Sequence, residues 1–264
     1  MRKISVVRSF TLVFALSCLA LTFAFSQQTG ASIMHEVMEV QVSDSSALDI
    51  KLTLIDPNGS ERERRLQTLT LTENGLTKTL TVFLSPSSVK NTRFLTIEKQ
   101  EGSNDQWIYL PSLGRVKRIA AQEEGGSFMG SDFTYADMGS TTYDDDQAEH
   151  ILIGEEMLDG NNCFIVESKP TVSSEYGKTV TWVDKVTYLP LKVVFYEKDS
   201  VSVVKTLIGE DSTKIGTKWV TKTLTMTTAA TNHSTRIEIL QAKFDIPIDS
   251  RFFTIPFMET GRLL

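Results

Sequence analysis

The stretch Asp105–Met138 reads DQWIYLPSLGRVKRIAAQEEGGSFMGSDFTYADM. It decides the fold, because the sequence on either side is plain β-strand and this segment alone breaks the rhythm. Gln106-Trp107-Ile108-Tyr109-Leu110 combines aromatic and β-branched side chains and suits a strand. Pro111 and Gly114 bracket a tight turn. Arg115-Val116-Lys117-Arg118-Ile119 alternates basic and apolar residues, so one face is charged and the other buried. Beyond Gly125-Gly126, the run Ser127–Met138 sets large apolar groups among small residues and two acids. A short helix is expected over Ser131–Met138, with Asp132 and Asp137 capping or charging its first turn. On residue types alone the simplest account is a hairpin followed by a loop tucked onto the core.

Working outward, Gly30–Val42 places Ile33, Met34, Val37 and Met38 at helical spacing and predicts a short amphipathic helix. It packs on the core or serves as a lid, with His35 facing solvent. From Ser46 the period is two. Leu48, Ile50, Leu52 and Leu54 share a face, Asp56-Pro57-Asn58-Gly59 turns the chain, and Glu61–Thr72 returns. The charge run Glu61–Arg65 reads as a solvated face with cross-strand pairs. Glu73-Asn74-Gly75 turns into Leu76–Leu84, with Leu80, Val82 and Leu84 on one face, and Arg93–Lys99 follows. After the central stretch come His150–Glu156, Asn162–Lys169, Lys178–Asp184, Leu189–Glu197, Val201–Glu210, Lys214–Thr228 and Thr235–Phe244. Turns are expected at 209–216 and 229–234. Residues 247–256 read as an extended tail that packs its phenylalanines on the sheet.

About a dozen short strands at regular spacing indicate a mainly β (α+β) domain. A single antiparallel sheet of that size must curl or close. The curled sheet has one apolar face that needs cover, and short helices are the economical cover. The expected architecture is therefore a half-open barrel with an apolar cavity.

The first residues carry Arg2, Lys3 and Arg8 ahead of an apolar run from Phe10 to Phe25, shorter than the ~20 residues of a spanning helix. Ala24-Phe25-Ser26 fits a signal cleavage site, which divides the chain into a signal peptide, 1–26, and one domain, 27–264. The expectation is export to the periplasm. Ala15-Leu16-Ser17-Cys18 is a poor lipobox, and anchoring through Cys18 is the minor alternative. Loss of three basic residues takes the formal charge from −6 to −9, which disfavours nucleic acid and anionic surfaces as partners. The cysteine left after cleavage, Cys163, has no internal disulfide partner and suits a buried strand.

The ordered motif W-x-YLP, then RVKRI, then SFMGSDFTYADM resembles a family of outer-membrane lipoprotein-sorting proteins, relatives of the LolA-type periplasmic carrier. The motif covers about thirty residues, and the strand pattern of the mature chain agrees with it. The resemblance implies a half-barrel that shelters lipoprotein acyl chains or another lipidic ligand. It also implies an inner-membrane transporter as donor and an outer-membrane acceptor; separately, the protein is expected to be a monomer. A cover and cavity wall are expected from Trp107, Tyr109, Leu110, Arg118, Phe128, Met129, Gly130, Asp132, Phe133 and Tyr135, with Gly125, Gly126 and Gly130 as hinges. The carrier that the family resembles holds its lid shut with an arginine inside its cavity. No arginine here aligns to it, and Arg118 is the guess because it lies in the motif.

Other chemistry is poorly served. Ser127 is only a near miss to G-x-S-x-G, since no Gly stands at 129, and the three histidines, His35, His150 and His233, stand without partner motifs. No P-loop or dinucleotide glycine pattern occurs. The acids Asp144-Asp145-Asp146 with Glu149 and His150 fit neither an EF-hand nor a zinc pattern. No cofactor, metal or catalytic residue is expected. The alternatives to a carrier are a non-enzymatic interaction domain, for example an accessory to a lipid exporter, and a hydrolase using Ser127 or the Asp132/Asp137 pair.

Overall fold

The fold is seen in a computed structural model that describes residues 28–100, 104–139 and 147–263. The expected signal peptide with Cys18, the N-terminus expected at Gln27 and the acidic run Asp144–Asp146 lie outside the described residues. Helix α1 (Gly30–Gln41) is followed by β1 (Ser45–Ile55), β2 (Glu61–Glu73), β3 (Leu76–Ser85), β4 (Arg93–Ile97), β5 (Asp105–Leu110) and β6 (Arg115–Arg118). Then come β7 (Ala148–Leu158), β8 (Asn161–Pro170), β9 (Lys178–Asp184), β10 (Pro190–Tyr196), β11 (Val203–Ile215), β12 (Lys218–Thr228), β13 (Ser234–Phe244) and helix α2 (Ile255–Thr260).

All thirteen strands form one antiparallel sheet in the order β6-β5-β4-β3-β2-β1-β13-β12-β11-β10-β9-β8-β7. The sheet curls and is not closed. Every neighbouring pair but one is a sequence-adjacent meander. The exception is β1 with β13, which pair along their lengths from Ser46 opposite Phe244 to Ile55 opposite Ser234. That seam joins an N-terminal half, β1–β6, to a C-terminal half, β7–β13. Two hairpins close with consecutive left-handed residues, Asn74-Gly75 and Asp159-Gly160, the geometry that matches strand twist.

The two faces are filled differently. On the inner face, Ile50, Leu52, Leu54, Leu66, Phe83, Phe94 and Ile108 form a core with Ile119 and Phe128. Farther along the same face, Val193, Phe195, Leu207 and Met226 close around Phe133 and Tyr176. Helix α1 covers the far end, burying Ile33, Met34 and Val37 against Phe164, Val166 and Val183. It sits so close to β7 that a Cβ on Gly30 would fall 2.5 Å from the His150 carbonyl oxygen. On the outer face of the N-terminal half, Leu80 and Leu95 pack under Phe253 and Met258 of the C-terminal tail. Burying a Phe or Leu side chain contributes about 1.5–3 kcal/mol, so each cover is a substantial part of the fold.

Several expectations are corrected. Ser131–Met138 is not helical but a series of bends and turns, because its two acids are drawn inward to partners on the sheet. The tail is not extended: Ser250–Phe252 is a 3-10 turn and Ile255–Thr260 an α-helix capped by Thr254 with a proline in its first turn. Its phenylalanines do pack on the sheet. The turn placed at 209–216 is narrower, since β11 runs through Gly209 to Ile215 and Gly216 alone is left-handed in the tip. Leu84 does not pack with Leu80 and Val82. A register shift at Arg65/Leu66 interrupts the β2–β3 ladder, Phe83 takes the inner face, and Leu84 is exposed.

Candidate functional site

The central stretch forms β5 and β6 and then lays residues 120–139 across the inner face. Within it Ser127 bridges Thr134, the Phe128 amide donates to the Phe133 carbonyl at 2.7 Å, and the Ser131 amide donates to the Phe128 carbonyl at 3.0 Å. The Ser127 and Ser131 hydroxyls donate to the Ser131 and Phe128 carbonyls at 2.6 and 2.7 Å. Met129 and Gly130 are both left-handed, φ 53° and 75°; such backbone is costly for a residue with a side chain. The result is a tight knuckle with Phe128 and Phe133 splayed to opposite halves of the sheet.

On the N-terminal side the contacts are aromatic. Phe128 is fully buried, its ring centroid 5.0 Å from Phe94, 5.7 Å from Tyr135 and 6.0 Å from Phe83. A charged group of this wall reaches the cover: Arg64 of β2 donates to the Met129 carbonyl at 2.6 Å. Burial lowers the Arg64 pKa, with neighbouring Arg62 adding to the shift. Gln106 of β5 donates to the Tyr135 carbonyl at 2.8 Å.

On the C-terminal side the contacts are polar and buried. Asp132 accepts hydrogen bonds from the hydroxyls of Thr228 and Thr235, lies 2.7 Å from His233 Nδ1, and gives its own amide to Thr235 Oγ1 at 2.9 Å. The other His233 nitrogen faces Asp56 at 3.5 Å. Asp137 pairs with Lys205, the two side chains only 2% and 3% exposed. It also accepts from the Tyr176 hydroxyl at 3.0 Å and the Thr134 amide at 2.7 Å. The Lys205 ammonium donates to the Asp132 carbonyl at 3.2 Å and lies over the rings of Tyr176 and Phe195 at 5.1 and 5.5 Å.

Similarity to known proteins follows this architecture. A family model described only as an uncharacterized protein matches residues 75–260, most of the sheet and the whole cover. An outer-membrane lipoprotein-sorting protein domain from Vibrio parahaemolyticus is 30% identical, with a TM-score of 0.81, covering 87% of this chain and 98% of that one. The chain belongs to this LolA-like lipoprotein-sorting family. A DUF1329 family protein from Desulfovibrio piger is 26% identical, TM-score 0.82, over 87% of this chain and 97% of that one. A LolA superfamily protein from Nitrosomonas europaea shares the fold at 18% identity and a TM-score of 0.69, over 88% and 100%. Comparison with curated proteins finds no match.

Within this LolA-like chain the sequence-selected residues separate into two groups. Leu110, Phe128, Met129 and Tyr135 meet in one inner cluster, Phe133 joins the adjacent one, and Asp132 is buried between. Gly130 supplies the left-handed turn between them. Trp107 and Tyr109 do not line the inner face. They alternate with Gln106 and Ile108, so they point outward and pack under the C-terminal tail, with Arg93 over the Tyr109 ring at 5.0 Å. Arg118 is also misplaced as a cover latch. It lies on the edge strand β6, its side chain 64% exposed and paired with Asp105. An arginine holding the cover does exist, and it is Arg64. The capping role expected for Asp132 is likewise replaced by its contacts with β12 and β13.

The residues missed were Arg64, Tyr176, Lys205, Thr228, His233 and Thr235. Two of them left a signal. Lys205 stands in the inward row of β11 with Leu207, and Arg64 in the inward row of β2 with Leu66, where alternation calls for apolar side chains.

Proposed function

We propose that this LolA-like protein is a periplasmic carrier that shelters acyl chains of a lipoprotein or another lipidic ligand against the inner face of its sheet. The observation that carries this reading is the cover: an apolar inner wall closed by a loop whose Met129 carbonyl is held by Arg64. A cover fastened only by noncovalent contacts, Arg64 to a backbone oxygen among them, can exchange with a ligand without any covalent chemistry. Acyl chain sheltered in place of Phe128 and Phe133 gains about 0.8 kcal/mol per CH₂, enough for useful affinity. The family relationship supports transfer toward the outer membrane, with an inner-membrane donor and an outer-membrane acceptor as partners.

A binding role is favoured over hydrolysis by specific contacts. The Ser127 hydroxyl donates to the Ser131 carbonyl, and the His233 ring lies between two carboxylates, so neither makes a nucleophile–base pair. Among the described residues no helix is long and apolar enough to cross a membrane. Native mass spectrometry of exported protein, followed by organic extraction, tests the reading. Near-stoichiometric lipid or acylated protein is expected. Bare protein that also takes up no fluorescent fatty acid would leave an interaction domain with a filled core.

A further inference from the structure

Lys205 is a cation on the inner wall whose hydrogen-bond partners, Asp132 and Asp137, lie on the cover. Its ammonium meets the Asp137 carboxylate and the Asp132 carbonyl, both on the cover, and the faces of Tyr176 and Phe195, both on the wall side. The Tyr176 hydroxyl aims at the same carboxylate from the other side. An ammonium and a phenol converging on one carboxylate, between two aromatic faces and at the edge of an apolar cluster, form a built anion receptor. A lysine so buried is costly without a counter-ion, so a ligand that shelters Lys205 from water in place of the cover must bring an anion.

We propose that Lys205 and Tyr176 are the headgroup site of the carrier, and that Asp137 is an internal stand-in for the anionic group of the ligand. This rests on the lipid-binding reading and narrows it to lipids with an acidic head, a carboxylate or a phosphate, set next to the acyl chain. The geometry gives the order of groups. The anion binds between Lys205 and Tyr176, and the chain lies where Phe133 now packs with Val193, Leu207 and Met226. Cover and ligand compete for one cation, so loading displaces the Asp137 side of the loop.

The test holds the chain constant and varies the head: oleate, oleoyl-lysophosphatidylglycerol and the neutral mono-olein, each titrated into the purified protein. At least one anionic probe is expected to bind tenfold or more tighter than mono-olein, and which one does separates a carboxylate from a phosphate head. Lys205→Met should remove that preference, read as the ratio of anionic-probe to mono-olein affinity within the same variant. Tyr176→Phe, a milder change that keeps the ring, should reduce the preference several-fold. Asp137→Asn should raise anion affinity by removing the competitor. Equal binding of all three probes, unchanged in Lys205→Met and Tyr176→Phe, overturns the headgroup site and leaves the carrier reading standing. No binding of any probe, mono-olein included, overturns both.

Discussion

The two halves of the inner face hold the same loop by opposite means. Toward β1–β5 the cover inserts a fully buried phenylalanine among aromatic rings and is tied by Arg64 to a backbone oxygen. Toward β11–β13 it inserts two carboxylates, each met by a donor from the sheet. Apolar contacts resist separation because water must cover what they expose. Buried ionic contacts are different, since the charges regain hydration when they part. On the proposed carrier reading, the C-terminal side is the one to be exchanged and the aromatic side is the pivot.

Substitutions can break or sharpen that contrast. The largest effect is expected from Phe128→Asp, which places an unpaired charge in the aromatic core and should cost more than about 4 kcal/mol. Urea unfolding monitored by near-ultraviolet circular dichroism reads it directly. A variant as stable as the parent would mean that the aromatic side is no pivot. Asp137→Ala strands the Lys205 charge and should destabilise by roughly 3–5 kcal/mol. The double change Asp137→Leu with Lys205→Met should recover most of that loss. If the double variant is as unstable as the single one, the ionic side is there for packing and not for exchange.

Arg64→Met should have a smaller effect on stability, roughly 1.5–3 kcal/mol for a lost charge-assisted hydrogen bond. Its signature is local: faster hydrogen exchange at residues 127–134 with little change in β8 and β9. Uniform acceleration across the sheet would contradict a local latch. The smallest effect is a pH dependence at Glu124, whose carbonyl receives the Ala136 amide. Burial raises the Glu124 pKa, and Glu175 nearby raises it further. An acid with a raised folded pKa contributes most stability below its unfolded pKa, and loses that contribution as pH rises through the folded value. Glu124→Gln should therefore stabilise the protein slightly at neutral pH and not at pH 4. An NMR titration of the Glu124 carboxyl that finds a midpoint at or below the usual glutamate range would refute this.

Much of the architecture was legible because sheets write their faces into alternation. Leu48 to Leu54 named the inner side of β1, and Asn74-Gly75 named a hairpin. The same alternation applied to Trp107 and Tyr109 shows that they share a side, but not which side. Ile108 and Tyr109 are equally hydrophobic choices, and the C-terminal tail that covers Tyr109 lies far along the chain. Ser131–Met138 was read as helix because local acids suggested caps. Instead, tertiary partners took both carboxylates, and the local signal lost to buried charge pairing.

What the sequence by itself determined is the class of fold: period-two runs and turn residues impose a meander, and a meander of this size must curl around an apolar face. The SFMGSDFTYADM run also marked the cover, since nothing else in the chain combines such residues. Only the tertiary structure decided how the cover is held. The pairing of β1 with β13 brings Arg64, Thr235, His233 and Lys205 around one loop. Contacts made across so many residues follow from the closure of the sheet, and no local pattern encodes them.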